Sequence, residues 1–479
     1  MSHEAKRARK GWHIPMSAMA ENTFNPIRSI VDTMKIEPHP DKPMIALSIG
    51  DPTTFGNLPM AENIEEAIIT SLKQRKYNGY APSVGFEFAR QAVADYVSTP
   101  TEKVEAKDVV LASGGSGALD LCISCLAEPG QNILIPCPGF SLYKTLAVSL
   151  GIEVRLYDLL PSKSWEVDID HLESLIDEKT KAVVICSPSN PCGSAYSKEH
   201  LLEIIDTMER HRIPIIADEI YEHFVFNGQS YHSVASLSKN VPVLSCSGLT
   251  KRFLVPGWRM GWIVIHDRHD AFEHVRKGLV KLSQRILGPN TLVQAALPEI
   301  LKNTPKSFFE ETLQYVEKNA KLFYEKLNTV NGLHPVMPQG AMYMMVGIDM
   351  EHFPEFKSDV EFTQRLITEQ SVFCLPATCF EYPNFFRIVL TVPTEKASEA
   401  CDRIRAFCDE HYHPLCAGTN LKEGISNGHS VIGSVYKNGN CLANGNGVPC
   451  QDTEIIYKSV NGNGCINGNG IAPRIEKSH

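Results

Sequence analysis

The chain has no apolar run approaching the roughly 20 residues that span a bilayer, so no membrane segment is expected. Positive charge is not in excess either: 46 Lys and Arg against 55 Asp and Glu give a formal net charge of -9. Phosphate backbones are bound mainly through clustered lysine and arginine, and this balance gives no support to a nucleic-acid surface. The basic cluster Lys6, Arg7, Arg9 and Lys10 is short and terminal; it reads as a solvated arm, and Glu4 argues against a transit peptide. Metal-binding patterns are missing. Cys122 and Cys125 form a lone C-x-x-C within an apolar helical stretch, with no second pair and no histidine at ligand spacing, so core thiols are expected. The 14 cysteines are scattered through apparent core segments of a chain too large to need staples. Reduced thiols and a cytoplasmic location are the expectation, with a mitochondrial one left open.

What is present is a globular composition, 43% hydrophobic and 21% charged over 479 residues, long enough for two or three domains. From about residue 108 to 265, short β-rich runs alternate with helical stretches. The runs are Val109 to Ala112, Asn132 to Ile135, Ile152 to Tyr157, Ala182 to Cys186, Ile213 to Ala217, Val241 to Ser245 and Trp262 to Ile265. Such alternation predicts an α/β fold, with a mainly parallel sheet covered by helices on both faces. Ligands on such sheets collect at the carboxyl ends of strands. Gly114 to Gly117, Asn190, Asp218, Tyr221 and Lys251 all fall there.

Residues 266 to about 330 read as helices, followed by a smaller α+β region with strands at Ala341 to Val346 and Phe385 to Val392 and a closing helix from near Pro393. The segment 22 to 50 is too short to form a core alone and is expected to pack on that region. The expected organisation is an arm at 1–21, a discontinuous small domain at 22–55 and 331–413, a large domain at 56–330, and a tail at 414–479. In the tail Asn-Gly recurs eight times between 427 and 469 with little hydrophobic periodicity, the composition of a disordered segment.

Lys251 stands in Ser-Cys-Ser-Gly-Leu-Thr-Lys-Arg-Phe-Leu-Val-Pro-Gly-Trp-Arg-Met-Gly-Trp, 245 to 262, framed by small residues and followed eight positions later by Arg259. That setting suits an amine held against the aldehyde of a phosphorylated cofactor. A free lysine titrates near about 10.4, so burial and neighbouring positive charge must favour its neutral or imine form. Arg259 would supply the charge while gripping a phosphate. The competing reading is a surface loop with an ordinary Lys-Arg pair, against which Gly257, Trp258, Gly261 and Trp262 argue. Gly114-Gly115-Ser116-Gly117 opens an apolar helix, where backbone amides can cradle a dianionic phosphate. No Gly-Lys-Ser/Thr follows and G-x-G-x-x-G does not fit, so it is neither a P-loop nor a dinucleotide fingerprint.

Residues about 22 to 412 resemble the fold-type I, pyridoxal phosphate-dependent aminotransferases. The resemblance rests on Asn-Thr-Phe-Asn-Pro-Ile-Arg at 22 to 28, Leu-Ser-Ile-Gly-Asp-Pro at 47 to 52, Tyr-Asn-Gly-Tyr-Ala-Pro-Ser at 77 to 83 and Pro-Gly-Phe-Ser-Leu-Tyr at 138 to 143. It continues in Ser-Pro-Ser-Asn-Pro-Cys-Gly at 187 to 193, Ala-Asp-Glu-Ile-Tyr at 217 to 221 and the lysine run. Leu-Pro-Ala-Thr-Cys-Phe at 375 to 380, with His-Phe-Pro-Glu-Phe at 352 to 356, points to the branch that takes tyrosine.

The resemblance implies pyridoxal 5'-phosphate as cofactor, with Lys251 as its Schiff-base anchor and the general base. Asp218 would pair with the pyridine nitrogen and keep the ring an electron sink; its competing role is a helix N-cap. Tyr221 and Asn190 would hydrogen-bond the ring oxygen, although Asn190 before Pro191 also suits a turn. Gly115 and Ser116 would hold the phosphate, and Phe140 would stack on the ring, where a core role is the alternative. Tyr80 would reach the phosphate of a neighbouring subunit, implying a homodimer with shared active sites. Many relatives carry a serine three positions before the lysine; here Gly248 stands there, and Ser247 or Thr250 would substitute. Arg387 would take the substrate α-carboxylate in a two-pronged contact that lysine cannot reproduce, a sheet salt bridge being the alternative. Gly50 would let backbone approach that carboxylate, and Asn22, Asn25 and Ile49 are candidates for the distal group.

The implied reaction moves the amino group of L-tyrosine to 2-oxoglutarate, with Lys251 carrying a proton from the substrate α-carbon to the cofactor. Other aromatic amino acids or methionine are possible donors. A carbon-sulfur lyase would share Lys251, Asp218 and Tyr221 but eliminate at the β-carbon. A non-catalytic cofactor-binding protein is the remaining alternative.

Overall fold

The computed structural model describes residues 12, 14–34, 36–100 and 102–415. The Asn-Gly tail expected at 414–479 lies outside them but for its first two residues, as does the basic cluster of the arm.

In chain order the strands are β1 (Ile45–Ala46), β2 (Val109–Ser113), β3 (Asn132–Cys137), β4 (Glu153–Leu160), β5 (Glu166–Val167), β6 (Thr180–Cys186) and β7 (Ile215–Asp218). They continue as β8 (Val243–Gly248), β9 (Met260–His266), β10 (Leu333–Pro335), β11 (Tyr343–Ile348), β12 (Val372–Phe373), β13 (Leu375–Pro376) and β14 (Phe385–Val389). Eight of them form one sheet in the order β2-β9-β8-β7-β6-β3-β4-β5. Neighbouring strands from β8 to β4 run parallel, and β9 runs antiparallel to both β8 and β2. Every residue of β3, β7, β8 and β9 is buried. Helices cover both faces, so these strands read as continuous apolar runs and not as alternating ones. The seven strands expected between residues 108 and 265 are all present. The short antiparallel β5, paired at Leu159↔Val167, carries no periodicity that sequence could show.

The helix Gly114–Leu126 leaves β2 directly and lays Ala118, Leu119, Cys122 and Ile123 on the sheet, the spacing of one helical face. Cys122 and Cys125 are free thiols. Four strands, β10-β11-β14-β13, form a second, antiparallel sheet. Against it pack the long helix Lys306–Leu327 and the closing helix Thr394–His411, whose buried Ala397, Ala400, Cys401, Ile404, Phe407 and Cys408 recur at three- and four-residue intervals. The N-terminal segment reaches this region through a parallel pair, Ile45↔Val372 and Ala46↔Phe373, and Ile45 and Leu47 share its core. Tyr221, Phe224 and Leu254 from the large sheet's loops enter the same core.

Candidate active site

The register Cys186↔Asp218↔Cys246 sets the carboxyl ends of β6, β7 and β8 level. The turns beyond them deliver Asn190, Asp218, Tyr221 and Lys251 into one cavity of about 790 Å³, which Gly115 and Ser116 enter from the β2 end. Gly50, Phe140, Arg259 and Arg387 complete the wall. These ten residues, all singled out from sequence, therefore meet at one place. A larger open groove of about 990 Å³ on the helix Lys306–Leu327 holds none of them.

Lys251 Nζ donates to the Gly50 carbonyl at 2.5 Å and stands 5.8 Å from the centre of the Tyr221 ring. A side chain at position 50 would be driven to 2.6 Å from the Tyr343 hydroxyl, so only glycine brings this carbonyl so close. Asp218 is buried, and desolvation raises its pKa. The Tyr143 hydroxyl, donating at 2.6 Å, the Ile220 amide and the charge of Lys251 work against that rise. A carboxylate in this setting gains most from a cationic partner.

Tyr221 donates to the Tyr343 oxygen at 2.7 Å. Burial raises the Tyr221 pKa. Burial would raise Tyr343 also, but the charges of Lys251 and Arg387 and the Tyr221 hydrogen bond hold it below the ordinary value. Tyr343 is thus the more acidic hydroxyl of the pair.

Arg387 is buried at 3% exposure. Its Nη1 donates to Asn190 Oδ1 at 2.9 Å and its Nη2 to the Ser48 carbonyl at 2.7 Å, while its guanidinium lies 4.3 Å from the centre of the Tyr343 ring. Among the described residues no carboxylate pairs with it, and its Nε is buried without a partner. The sheet salt bridge that competed for this residue is therefore not made. Burial depresses its pKa, which a carboxylate ligand would offset.

At the β2 end, Gly114 has a φ of +72°, and a Cβ there would lie 2.6 Å from the Arg259 guanidinium. A Cβ on Gly261 would lie 2.4 Å from the Gly114 carbonyl carbon. These glycines let Arg259 fold across the start of the helix, its Nη2 donating to the Ser113 carbonyl at 3.2 Å. Thr250 lines the cavity, and its Oγ1 is buried with no hydrogen-bond partner among the described residues. Ser247 does not reach this place, which corrects its expected phosphate contact. It faces the other side of β8, where its hydroxyl donates to the Glu219 carbonyl at 3.3 Å and borders a separate cavity. Tyr80 is 90% exposed and lies outside the cavity of its own chain.

Of the distal candidates, Ile49 lines the cavity but Asn22 and Asn25 do not; Asn25 caps the helix Pro26–Thr33 by accepting from the Arg28 amide. That helix contributes Ile27, Arg28 and Val31 instead. Arg28, Tyr143 and Tyr343 escaped sequence reasoning. Arg28 and Tyr143 stand inside motifs quoted for the family yet received no role, and nothing in the spacing around Tyr343 marks it.

An amine, a buried acid and an anion-holding helix start, all at strand ends, place the chain among the enzymes that do chemistry through a lysine-linked aldehyde cofactor. The sequence model described as "Aminotransferase class I and II" matches residues 42–404, and the chain belongs to that family. It is 59% identical to tyrosine aminotransferase of Mus musculus over 88% of this chain and 92% of that one. It is 48% identical to the Dictyostelium discoideum tyrosine aminotransferase over 84% and 98%. The crystal structure of tyrosine aminotransferase from Leishmania infantum matches with a TM-score of 0.82 and 36% identity, covering 84% of this chain and all of that one. The fold is that of the fold-type I aminotransferases, and the cofactor is pyridoxal 5'-phosphate. The residues fit it: the unpartnered Thr250 hydroxyl, the Gly115–Ser116 amides and Arg259 suit a phosphate, and buried Asp218 suits a protonated ring nitrogen.

Proposed function

We propose that the protein transfers the amino group of L-tyrosine to 2-oxoglutarate, yielding 4-hydroxyphenylpyruvate and glutamate. The observation that carries the reading is Arg387, a buried cation lacking any carboxylate of its own among the described residues and opening on the same cavity as Lys251. Bound pyridoxal phosphate supplies an electron sink for the bond broken at the substrate α-carbon. Asp218 would hold the proton on the ring nitrogen, Thr250, Arg259 and the amides of Gly115 and Ser116 would take the phosphate, and Phe140 would cover the ring. Arg387 grips the α-carboxylate, which fixes the α-hydrogen toward Lys251. Lys251 then moves that proton as general base and acid.

Ile27, Val31 and Ile36 form an apolar wall suited to the aromatic ring, and Arg28 beside them offers charge to the second carboxylate of 2-oxoglutarate. We take the working form to be a homodimer in which exposed Tyr80 serves the neighbouring subunit. The Ile45↔Val372 pair supports a small domain of 22–55 with 331–413 set against a large domain of 56–330. Ten described cysteines are free thiols, which supports a cytoplasmic location. No helix among the described residues is long and apolar enough to cross a membrane.

The test is a donor panel with purified holoenzyme. Formation of 4-hydroxyphenylpyruvate from tyrosine, dependent on 2-oxoglutarate and matched by glutamate, is the expected result. Pyruvate and ammonia released from β-substituted amino acids without any keto-acid acceptor would replace it with a lyase.

A further inference from the structure

The segments that carry the reacting groups have a second face. Tyr221 and Lys251 point into the active-site cavity, and the residues after them, Glu222 and Arg252, meet Tyr96 behind it. Arg252 Nη1 donates to the Tyr96 oxygen at 2.6 Å, and the Tyr96 hydroxyl donates to Glu222 Oε1 at 3.0 Å. Tyr96 belongs to the helix Glu87–Val97, which enters none of the active-site wall. The guanidinium of Arg252 is further fixed 4.4 Å from the centre of the Phe309 ring. Tyr96 and Glu222 border a separate polar cavity of about 330 Å³, the one that Ser247 also faces.

We propose that Tyr96 is a positioning residue for transamination. By accepting from Arg252 and donating to Glu222, it ties the turn that bears Lys251 to the turn that bears Tyr221. It also keeps a carboxylate charge behind both. The proposal rests on the reading of Lys251 as the reacting amine. The two links involve an ionisable group on each side of Tyr96, and they join the helix Glu87–Val97 to both turns.

Glu222 is only 6% exposed, and its charge is poised. Burial pushes its pKa up to about 7, against the charge of Arg252; Glu219 adds to the rise, and the Tyr96 and Ser247 hydroxyls oppose it. Tyr231 and His223 border the same cavity. With its pKa already raised to about 7, loss of the Tyr96 hydroxyl shifts the balance further toward the neutral carboxyl. By Coulomb's law, a carboxylate charge behind the cofactor linkage would favour the linkage in its protonated form, and loss of that charge would favour the neutral form.

Holoenzyme carrying Tyr96→Phe tests this, because phenylalanine preserves the edge contact of the ring with Trp262 at 6.3 Å and removes only the hydroxyl. The expected result is a kcat for tyrosine lower on the order of tenfold with KM within about twofold, the mark of a displaced reacting group. The visible absorbance of the lysine-linked cofactor should titrate at lower pH than in the wild type. Glu222→Gln should move that midpoint the same way, and the double variant should be no worse than the poorer single one if the residues act as a unit. An unmoved midpoint with kcat within about twofold would overturn the proposal, as would a lowered Tm with no spectral shift. Unimpaired turnover by Lys251→Ala would sink the underlying reading instead, a separate result in a separate variant.

Discussion

Tyr143 donates a 2.6 Å hydrogen bond to Asp218, and both side chains are buried, Asp218 in the cavity wall and Tyr143 outside it. Desolvation raises the Asp218 pKa, and this bond is the largest influence holding it down. Tyr143→Phe should therefore raise it further and weaken the hold of Asp218 on a protonated ring nitrogen. A hydrogen bond to a charged group contributes about 1.5–3 kcal/mol, so kcat/KM should fall about tenfold to a hundredfold. Steady-state kinetics and cofactor retention on dilution would measure this; unchanged values of both would show that Asp218 needs no help.

Arg387→Lys should leave the cofactor spectrum intact while raising KM for tyrosine and for 2-oxoglutarate alike, since both present an α-carboxylate. A point charge cannot reproduce the planar fork, and the loss of one charge-assisted bond corresponds to about 1.5–3 kcal/mol. Equal affinities in the two proteins would reassign the carboxylate anchor.

Much of this was legible in the sequence, for reasons that particular residues show. The buried strands announce themselves because helices on both faces demand unbroken apolar runs, as in Val183 to Cys186 and Ile215 to Ala217. Lys251, Asp218 and Asn190 follow from that pattern because they stand where strands stop. Ser247 misled because a hydroxyl beside the lysine turn can face either side of β8, and only the backbone decides which. Tyr343 was invisible for another reason. Its meeting with Tyr221 spans 122 positions, and β11 brings it in from the second sheet.

Gly261→Ala tests the close approach at the phosphate end. The new methyl would sit 2.4 Å from the carbonyl carbon of Gly114, in backbone that cannot give way cheaply. Overpacking of this kind costs about 1–3 kcal/mol, here as displacement of the helix start and Arg259. Cofactor affinity should fall by tenfold or more, measured by titrating apoenzyme and following absorbance. Affinity equal to wild type would show that the cradle tolerates the shift.

His411 links stability to pH. Its Nδ1 lies 2.9 Å from Glu355 Oε1 and its Nε2 2.7 Å from Glu369 Oε2. Burial alone would lower its pKa, but the hydrogen bonds and charges of the two carboxylates raise it above the ordinary value. A histidine whose folded pKa exceeds its unfolded one of about 6.5 contributes stability fully below that value and loses it as pH rises through the folded pKa. His411→Gln should thus cost about 1–3 kcal/mol at about pH 6 and clearly less at about pH 9. Denaturant melts at both pH values give the comparison, and a cost independent of pH would mean that His411 acts by packing alone.

Arg28 lines the cavity together with Ile27, Val31 and Ile36, and its guanidinium makes no ion pair among the described residues. The two substrates differ at the end remote from the shared α-carboxylate, for tyrosine carries a neutral phenol where 2-oxoglutarate carries a second carboxylate. Because Arg28 is exposed, its side chain can turn to solvent when an aromatic ring occupies the wall, at little cost in burial. Arg28→Gln should therefore raise KM for 2-oxoglutarate about tenfold, the scale of one charge-assisted contact. KM for tyrosine should change by less than about twofold, since no charge meets its ring. Measuring each half-reaction separately, with tyrosine against the aldehyde form and 2-oxoglutarate against the amine form, isolates the two affinities. Equal losses for both substrates would place Arg28 in the general shape of the cavity, and loss confined to tyrosine would reverse the assignment.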